Sequence, residues 1–493
     1  MNKFIKLLIG STAVLSISSC GLLGPSYKKP EVTTLDAFRS NTSGIQVESG
    51  VNLTDVSWWT KFNDQNLDKL IDLALANNNN IQMAIANIKV AQLQLKQIHF
   101  QWIPTLNLGG TAAAGQLFNS NNGIQNPIET QIAPNQPYSN FNFYSAGLIP
   151  SYGFNVFSLI KGADLAKANI DVQQDTKDTV RLTVISQVVG SYFTLLALNK
   201  QIIQQQKLID DLTAVVEFAK IEHKHGYAAL SDISQYQEQL QQAKIGLPSL
   251  TSDKVAAQNA LRVMVNKDPG EVVTDIDLDN ISTDGIIPSS LPSQVLKNRP
   301  DIKQAEAQLR LANANIGVAT ANFFPTIDIT TPLGLYNANF SNLFTPSSDF
   351  WSTQITAVMP ILNAGLLVLV KQRKAEYYVA YYNYIQTVRN AFANVDNSFA
   401  NYNGNSETLK YTKQFYAINK IDYDLTTKKF KLGYIAYSDT FTSKLNLDKA
   451  LIATTQAKLQ QLQALVLLYQ ALAGGYNYNN TNKLPFETKE SQS

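Results

Sequence analysis

The sequence predicts a mainly α fold with a small β part, built as a duplicated unit of helix, β-hairpin and long helical hairpin. Three observations carry this prediction. First, Ile81 to Pro104 (IQMAIANIKVAQLQLKQIHFQWIP) aligns without a gap, at an offset of 221, on Ile302 to Pro325 (IKQAEAQLRLANANIGVATANFFP), and each stretch runs into an aromatic-x-Pro-Thr. Second, G-Y-x-A-x-S-D occurs at Gly226 to Asp232 and again at Gly433 to Asp439, at an offset of 207. Third, apolar residues recur every seven positions over a long helical run, whereas short stretches after Pro104 and Pro325 alternate with period two. A chain of 493 residues could hold about three domains. The duplication argues instead for two intertwined halves of one body.

The elements follow in chain order. Residues 1–19 have a basic start (Lys3, Lys6), an apolar run from Leu7 to Ile17 and small residues before Cys20, the pattern of a secretory signal peptide. Residues 20–57 are polar, carry Pro25 and Pro30 and show no period, so they are expected to form an extended tether. The first structural repeat spans 58–267. It opens on Trp58-Trp59-x-x-Phe62, and a helix is expected from about Leu67 to Trp102. Pro104 disfavours helix at the residue before it, and Thr105-Leu106-Asn107-Leu108 then alternates as a strand does, giving a hairpin at about 105–149 with a return strand near Phe141 to Tyr144. Because the offset falls by 14 between the two matches, the first copy carries 14 extra residues, expected in the Asn, Gly and Pro-rich connection Gly109 to Asn140.

Val188, Leu195, Ile202, Ile209 and Val216 form one heptad stripe, and Val189, Leu196 and Ile203 a second beside it, which lets one helix pack on two sides. A run from Ala163 to His225 would be roughly 90 Å long at 1.5 Å per residue. It should stop at Gly226, suited to the left-handed conformation at a helix end, and Ser231 is expected to cap the next helix. Residues 268–292 read as a linker. The second repeat, 293–475, repeats the plan with a hairpin at about 326–359, a tip at about 433–439 and Ser438 as the matching cap. Residues 476–493 read as a polar tail.

Composition limits the function. Without Lys3 and Lys6 the chain has 38 basic and 38 acidic groups, so nothing calls for nucleic acid. Charged residues make up 16%, against roughly 25% in ordinary soluble proteins. The single cysteine excludes an intramolecular disulfide. After the signal region the most apolar stretch, Ile355 to Val370, is broken by Pro360 and Asn363, so any spanning part must be β. No nucleophile, base and oxyanion grouping and no phosphate loop is present, so no enzyme is expected. Four strands cannot close a barrel, and open edges are not tolerated in hydrocarbon. Three chains sharing one barrel would give twelve strands, and six helical hairpins would form a hollow tube.

These residues resemble the TolC-type outer membrane efflux proteins, more narrowly their OprM/NodT-like lipoprotein branch. The carriers are Ile17-Ser18-Ser19-Cys20, similar to a bacterial lipobox, then Tyr27-Lys28-Lys29-Pro30, Trp58-Trp59-x-x-Phe62, Asn298-Arg299-Pro300-Asp301-Ile302, the paired helix-to-Pro-Thr transitions and the two tip turns. The resemblance implies an outer membrane exit duct, lipid-anchored through Cys20 and extending into the periplasm. It implies a homotrimer with a twelve-stranded β-barrel and an α-helical barrel, a tip that docks a periplasmic adaptor, and an inner-membrane pump, proton-driven, that supplies small molecules. No cofactor is expected beyond the covalent lipid on Cys20. The alternatives are the duct of a type I protein-secretion system and a coiled-coil structural lipoprotein. Two departures stand out: the family's acidic residues after the first hairpin are replaced in Tyr152-Gly153-Phe154-Asn155-Val156-Phe157-Ser158, and Thr442 stands where a second tip acid is common.

Several residues are candidates for function. Gly226, Tyr227, Gly433 and Tyr434 are turn residues that the resemblance also makes the adaptor-contact surface. Asp232 and Asp439 sit where a helix dipole favours a carboxylate, and threefold symmetry would gather each into a ring of charge at a tunnel mouth, a candidate gate. Trp102, Phe323, Phe324 and Trp351 flank the hairpin strands, as core packing or as an aromatic girdle at the membrane interface. His223-Lys224-His225 is a poor metal site because residues two apart do not share a helix face, so no metal is expected.

Overall fold

A computed structural model describes residues 24–33, 53–118, 138–282 and 297–480. Cys20, the signal region and the connection between the first two strands lie outside these residues. The chain divides into two compact units: 91–170 and 309–379 with the first residues form one, and 29–90, 171–308 and 380–493 the other.

The first unit holds a sheet. β1 (Thr105–Phe118) and β2 (Tyr138–Phe154) pair antiparallel in unbroken register, from Thr105 opposite Ser151 to Phe118 opposite Tyr138. β3 (Thr326–Thr330) and β4 (Leu333–Asn337) together face β2, and β5 (Asp349–Trp351) and β6 (Gln354–Val358) together face β4 and β3. The interruption falls at Pro332, which has no N–H to give a ladder. Thr331 N–H to the Pro150 carbonyl (2.9 Å) and Ser352 N–H to the Pro332 carbonyl (3.2 Å) carry the pairing across it. The result is four antiparallel strand lines, with β1 at one edge and β5 and β6 at the other. Gly109 to Phe118 and Tyr138 to Asn140 are strand, so the first copy's extra residues partly lengthen its arms instead of lying wholly in a loop. Strands of 14 and 17 residues exceed the ~9–11 that cross a bilayer.

The second unit holds the core. The helix expected from Leu67 to Trp102 is two, α1 (Gln65–Asn77) and α2 (Asn79–Phe100). Asn78 is extended between them, and its Oδ1 accepts the N–H groups of Asn80 (3.0 Å) and Ile81 (3.4 Å), capping α2. α3 (Val156–Lys224) and α4 (Leu230–Met264) form the first helical hairpin; α5 (Pro300–Ala321) precedes the second, α6 (Ala364–Lys431) and α7 (Tyr437–Ala471). Val188, Leu195, Ile209 and Val216 of the first heptad stripe are buried and Ile202 is half-buried, whereas the second stripe ends at Ile203, which is exposed. α3, not Ile355 to Val370, contains the stretch long and apolar enough to cross a membrane, but most of it is buried inside the chain. Trp58, Trp59 and Phe62 join Leu67, Ile71, Tyr192, Phe193, Leu465 and Tyr469 in one apolar cluster.

Three segments expected to be loose are packed in their described parts. Pro25 accepts from Asn313 Nδ2 (2.9 Å), and Lys29 pairs with Glu306, so this part of the tether lies along α5. In the linker Leu278 and Ile281 are buried, and Asp277 bonds Lys200 (2.9 Å). In the tail Tyr476 is buried, Arg181 Nε donates to its carbonyl (2.9 Å), and Tyr478 meets Trp59 edge-on. These side chains are apolar or paired across more than 70 residues, which local polarity does not disclose.

Candidate functional site: matched tip turns and a two-faced sheet

The helical hairpins turn in the same way. At the first tip, Tyr227 N–H reaches the Glu222 carbonyl (2.9 Å) and Gly226 N–H the His223 carbonyl (2.9 Å); at the second, Tyr434 N–H reaches Lys429 (3.0 Å) and Gly433 N–H reaches Phe430 (2.8 Å). This is the Schellman motif, which requires a left-handed residue just past the helix. Gly226 has φ +80° and Gly433 +76°. Nothing lies within 4 Å of where a Cβ would sit at either, so the glycines serve backbone conformation and not space. Tyr227 and Tyr434 are 84% and 76% exposed, and Leu230 and Leu432 beside them are also exposed. Each tip therefore presents apolar surface on a fixed turn.

The serine caps are corrected. Ala229 and Ala436 hold the cap positions, which leaves Ser231 and Ser438 inside the first turn. The capping bond comes from Asp232, whose Oδ2 accepts the Ala229 N–H (3.2 Å), with Ser231 Oγ donating to Oδ1 (3.3 Å). No matching bond reaches the Asp439 carboxylate among the described residues. Burial, helped by the charges of Asp232, Glu222 and Asp439, pushes the Tyr236 phenol above its ordinary value. The two tip aspartates thus act on one hydroxyl. Phe218 of α3, Phe430 of α6, and Tyr437 and Phe441 of α7 pack as an aromatic cluster behind the turns, at centroid distances of 4.4 to 5.8 Å. His223 Nδ1 is engaged by the Ala228 carbonyl (2.8 Å), and no group of acidic, His or Cys side chains suited to a metal occurs among the described residues.

The sheet has two chemically distinct faces. Paired residues share a face, so Leu108, Leu148, Leu333 and Trp351 form one apolar row across all four lines. Tyr152, Ile329 and Ile355 form another on the same side. The opposite face carries Thr105, Asn107, Ser145, Ser151, Thr326, Asp328, Gln354 and Thr356. Thr105 and Ser151 hydroxyls meet at 2.7 Å there, and the Asp328 carboxylate lies over Gly153, where a Cβ would approach it to 2.4 Å. Apolar outside and polar inside is the pattern of an outer-membrane strand. Trp351 and Trp102 are exposed; Phe323 is half-buried, and Phe324 packs on Phe157 (4.1 Å) at the helix end of the sheet. Asn155 is a structural residue that the sequence pattern did not single out for a role. Its Oδ1 accepts the Ser158 N–H (3.0 Å) at the start of α3, and its Nδ2 donates to the carbonyls of Ala321 (3.2 Å) and Phe324 (3.0 Å).

Residues 70–267 and 291–474 match the family described as outer membrane efflux protein, one match for each repeat. The chain belongs to that family. It is similar to the cation efflux system protein CusC of Escherichia coli K12, 25% identical over 95% of this chain and 99% of CusC, and to the probable outer membrane lipoprotein SilC of Salmonella typhimurium, 26% identical over 96% and 99%. Two solved channels share its fold: CmeC of Campylobacter jejuni (TM-score 0.78, 21% identity, covering 96% of this chain and 98% of that one) and the open state of MtrE of Neisseria gonorrhoeae (TM-score 0.77, 23% identity, 93% and 99%). This efflux protein is an outer-membrane channel that reaches into the periplasm, and its relatives are named as transport components and not as enzymes.

Proposed function

We propose that three copies close one passive exit duct, whose tips receive a periplasmic adaptor coupled to an inner-membrane pump. The observation that carries this is the four-line sheet whose two edges have no strand partner among the described residues, since unpaired backbone groups cost several kcal/mol each in hydrocarbon. The apolar residues Tyr411, Phe415, Ile418 and Leu425, exposed along one side of α6, support it by giving neighbouring copies a seam. Relatives are named for efflux of cations, toluene, solvents and antibiotics on one architecture, which favours a conduit whose cargo is chosen by the pump.

The purified protein should run as a trimer and conduct ions in planar bilayers. Phe415→Glu with Ile418→Glu should leave monomers, and a monomeric, non-conducting wild type would refute the duct. The same recordings test the tip carboxylates as a gate: Asp439→Ala should alter the dependence of conductance on pH and divalent cations. At the turn, Gly433→Val forces a β-branched residue into the left-handed region at a cost of about 1–2 kcal/mol. It should leave trimers intact yet abolish retention by the cognate adaptor in a pull-down. Undiminished retention would remove Gly433 from the docking surface.

A further inference from the structure

The polar face of the sheet is interrupted, at the end away from the helices, by a row of aromatic rings. Phe141 and Phe143 of β2 lie 6.4 Å apart in a stacked arrangement, Phe143 stacks on Tyr336 of β4 at 5.8 Å, and Tyr336 meets Phe350 of β5 at 5.7 Å. Their parity is fixed by the register: Phe143 pairs with Ala113 and Phe141 with Gly115, two and four residues beyond Thr111 on the line that begins at Thr105 and Asn107. Tyr336 pairs with Ser145, and Phe350 with Gly334. All four therefore share the side of Ser145 and Thr111, opposite the row of Leu108, Leu148, Leu333 and Trp351. Gly115 accommodates this arrangement, because a Cβ there would stand 2.6 Å from the Phe141 ring. Rings on the lipid side would need no explanation. Four clustered rings do, on a side that elsewhere carries Thr105, Asn107, Ser151, Asp328, Thr356 and Gln354, with Ile149 and Val358 as scattered apolar residues among them.

We propose that Phe141, Phe143, Tyr336 and Phe350 form an aromatic collar on the lumenal wall of the duct, a stacking station that planar aromatic solutes engage on their way out. The proposal rests on the trimeric duct, in which threefold symmetry repeats the row three times around the wall. Tyr336 and Phe350 are exposed, at 48% and 42%, so ring faces and edges remain available to a passing solute. Aromatic side chains offer a flat, sequence-tolerant surface to any planar π system, and they attract organic cations through the ring quadrupole. Such a row slows planar aromatic cargo through its ring faces, while the Asp328 carboxylate of the same face lies apart from it, over Gly153.

Cross-strand aromatic pairs also brace a sheet, so the test must read something that bracing does not move. In planar bilayers, ethidium added to wild-type trimers should produce resolved interruptions of current, and tetraethylammonium, a cation without a π face, should not. Phe143→Leu with Tyr336→Leu keeps apolar bulk and removes two rings. It should shorten ethidium dwell times about tenfold, leaving trimer content and open conductance in plain electrolyte near wild type. If that pair fails to assemble, Phe350→Leu at the β5 end of the row should shorten them by a smaller factor. Trp351→Leu, on the opposite face, should leave them unchanged. Equal dwell times in wild type and ring-deleted trimers, or conducting wild-type trimers that ethidium never interrupts, would overturn the collar while the duct stands. Absence of any conducting trimer would refute the duct itself.

Discussion

Trp58→Ala should destabilise the helical unit by about 3–5 kcal/mol, the range for removing a large aromatic from a packed core. Trp58 is 1% exposed, and its ring lies flat on Tyr469 at 4.4 Å and 8°. It meets Trp59 and Phe62 edge-on at 5.8 and 6.2 Å, and its Nε1 donates to the Gly474 carbonyl (3.3 Å). Burial pushes the Tyr469 phenol up to about 12, so the stacked pair stays neutral through the physiological range. The site also ties the opening of the first repeat to the close of the second. A Cβ at Gly474 would come within 3.1 Å of Trp58, and one at Gly475, already at φ +80°, within 2.5 Å of Trp59. The loss should appear as a lower denaturation midpoint of the detergent-solubilised protein by circular dichroism. Trp58→Phe, which keeps a ring over Tyr469, should recover part of it. A midpoint equal to wild type in Trp58→Ala would show that the contact contributes little.

The duplication made much of this architecture legible. A repeat carries its own register, so the two Pro-Thr transitions located both hairpins, and the two glycine turns located both helical hairpins. The heptad stripe on α3 reported burial correctly at Val188 and Leu195, because a long helix of uniform period keeps one face inward. The pattern was weaker where long-range partners decide. Asn78 breaks α1 from α2 because its side chain can cap the second helix while bonding the Met264 carbonyl (2.8 Å), a contact no local window contains. Ser231 and Ser438 have the right chemistry for a cap but sit two residues late, since the turn spends its first residues on the Schellman bonds. Asn155 replaces an expected acid and still does structural work, because a side-chain amide can accept at one helix start and donate to the end of another. The aromatic collar was invisible for a different reason: a stretch such as FNFY shows alternation, and only the pairing register reveals which face is polar.

The ionic group linking α3 to α7 gives a prediction with a pH signature. Lys444 Nζ bonds Asp211 Oδ2 and both Asp448 oxygens at 2.6 Å, with the Tyr423 ring 5.9 Å away. Burial opposes charge on the lysine, but its bonds to the two carboxylates prevail and raise its pKa. For Asp448, 5% exposed, burial prevails over the lysine, and its carboxyl is raised above the ordinary value. Lys444→Met would leave a buried carboxylate facing Asp211 without a counter-charge, a loss of about 3 kcal/mol at neutral pH. The folded-state pKa of Asp448 would then rise further above its unfolded value, so the folded state would hold a proton that the unfolded state has released. Stability would therefore increase as pH falls through that raised pKa toward the ordinary carboxylate range, and the deficit against wild type would shrink in acid. Adding Asp448→Asn, which removes the stranded charge and keeps the shape, should restore most of the loss at neutral pH. Unfolding midpoints of the three proteins measured across that window decide the matter: a Lys444→Met curve parallel to wild type would mean that solvent screens the pair. A deficit that closes in acid would instead make this lysine the charge that holds α3 and α7 together, on the helices that lead to the tip turns at Gly226 and Gly433.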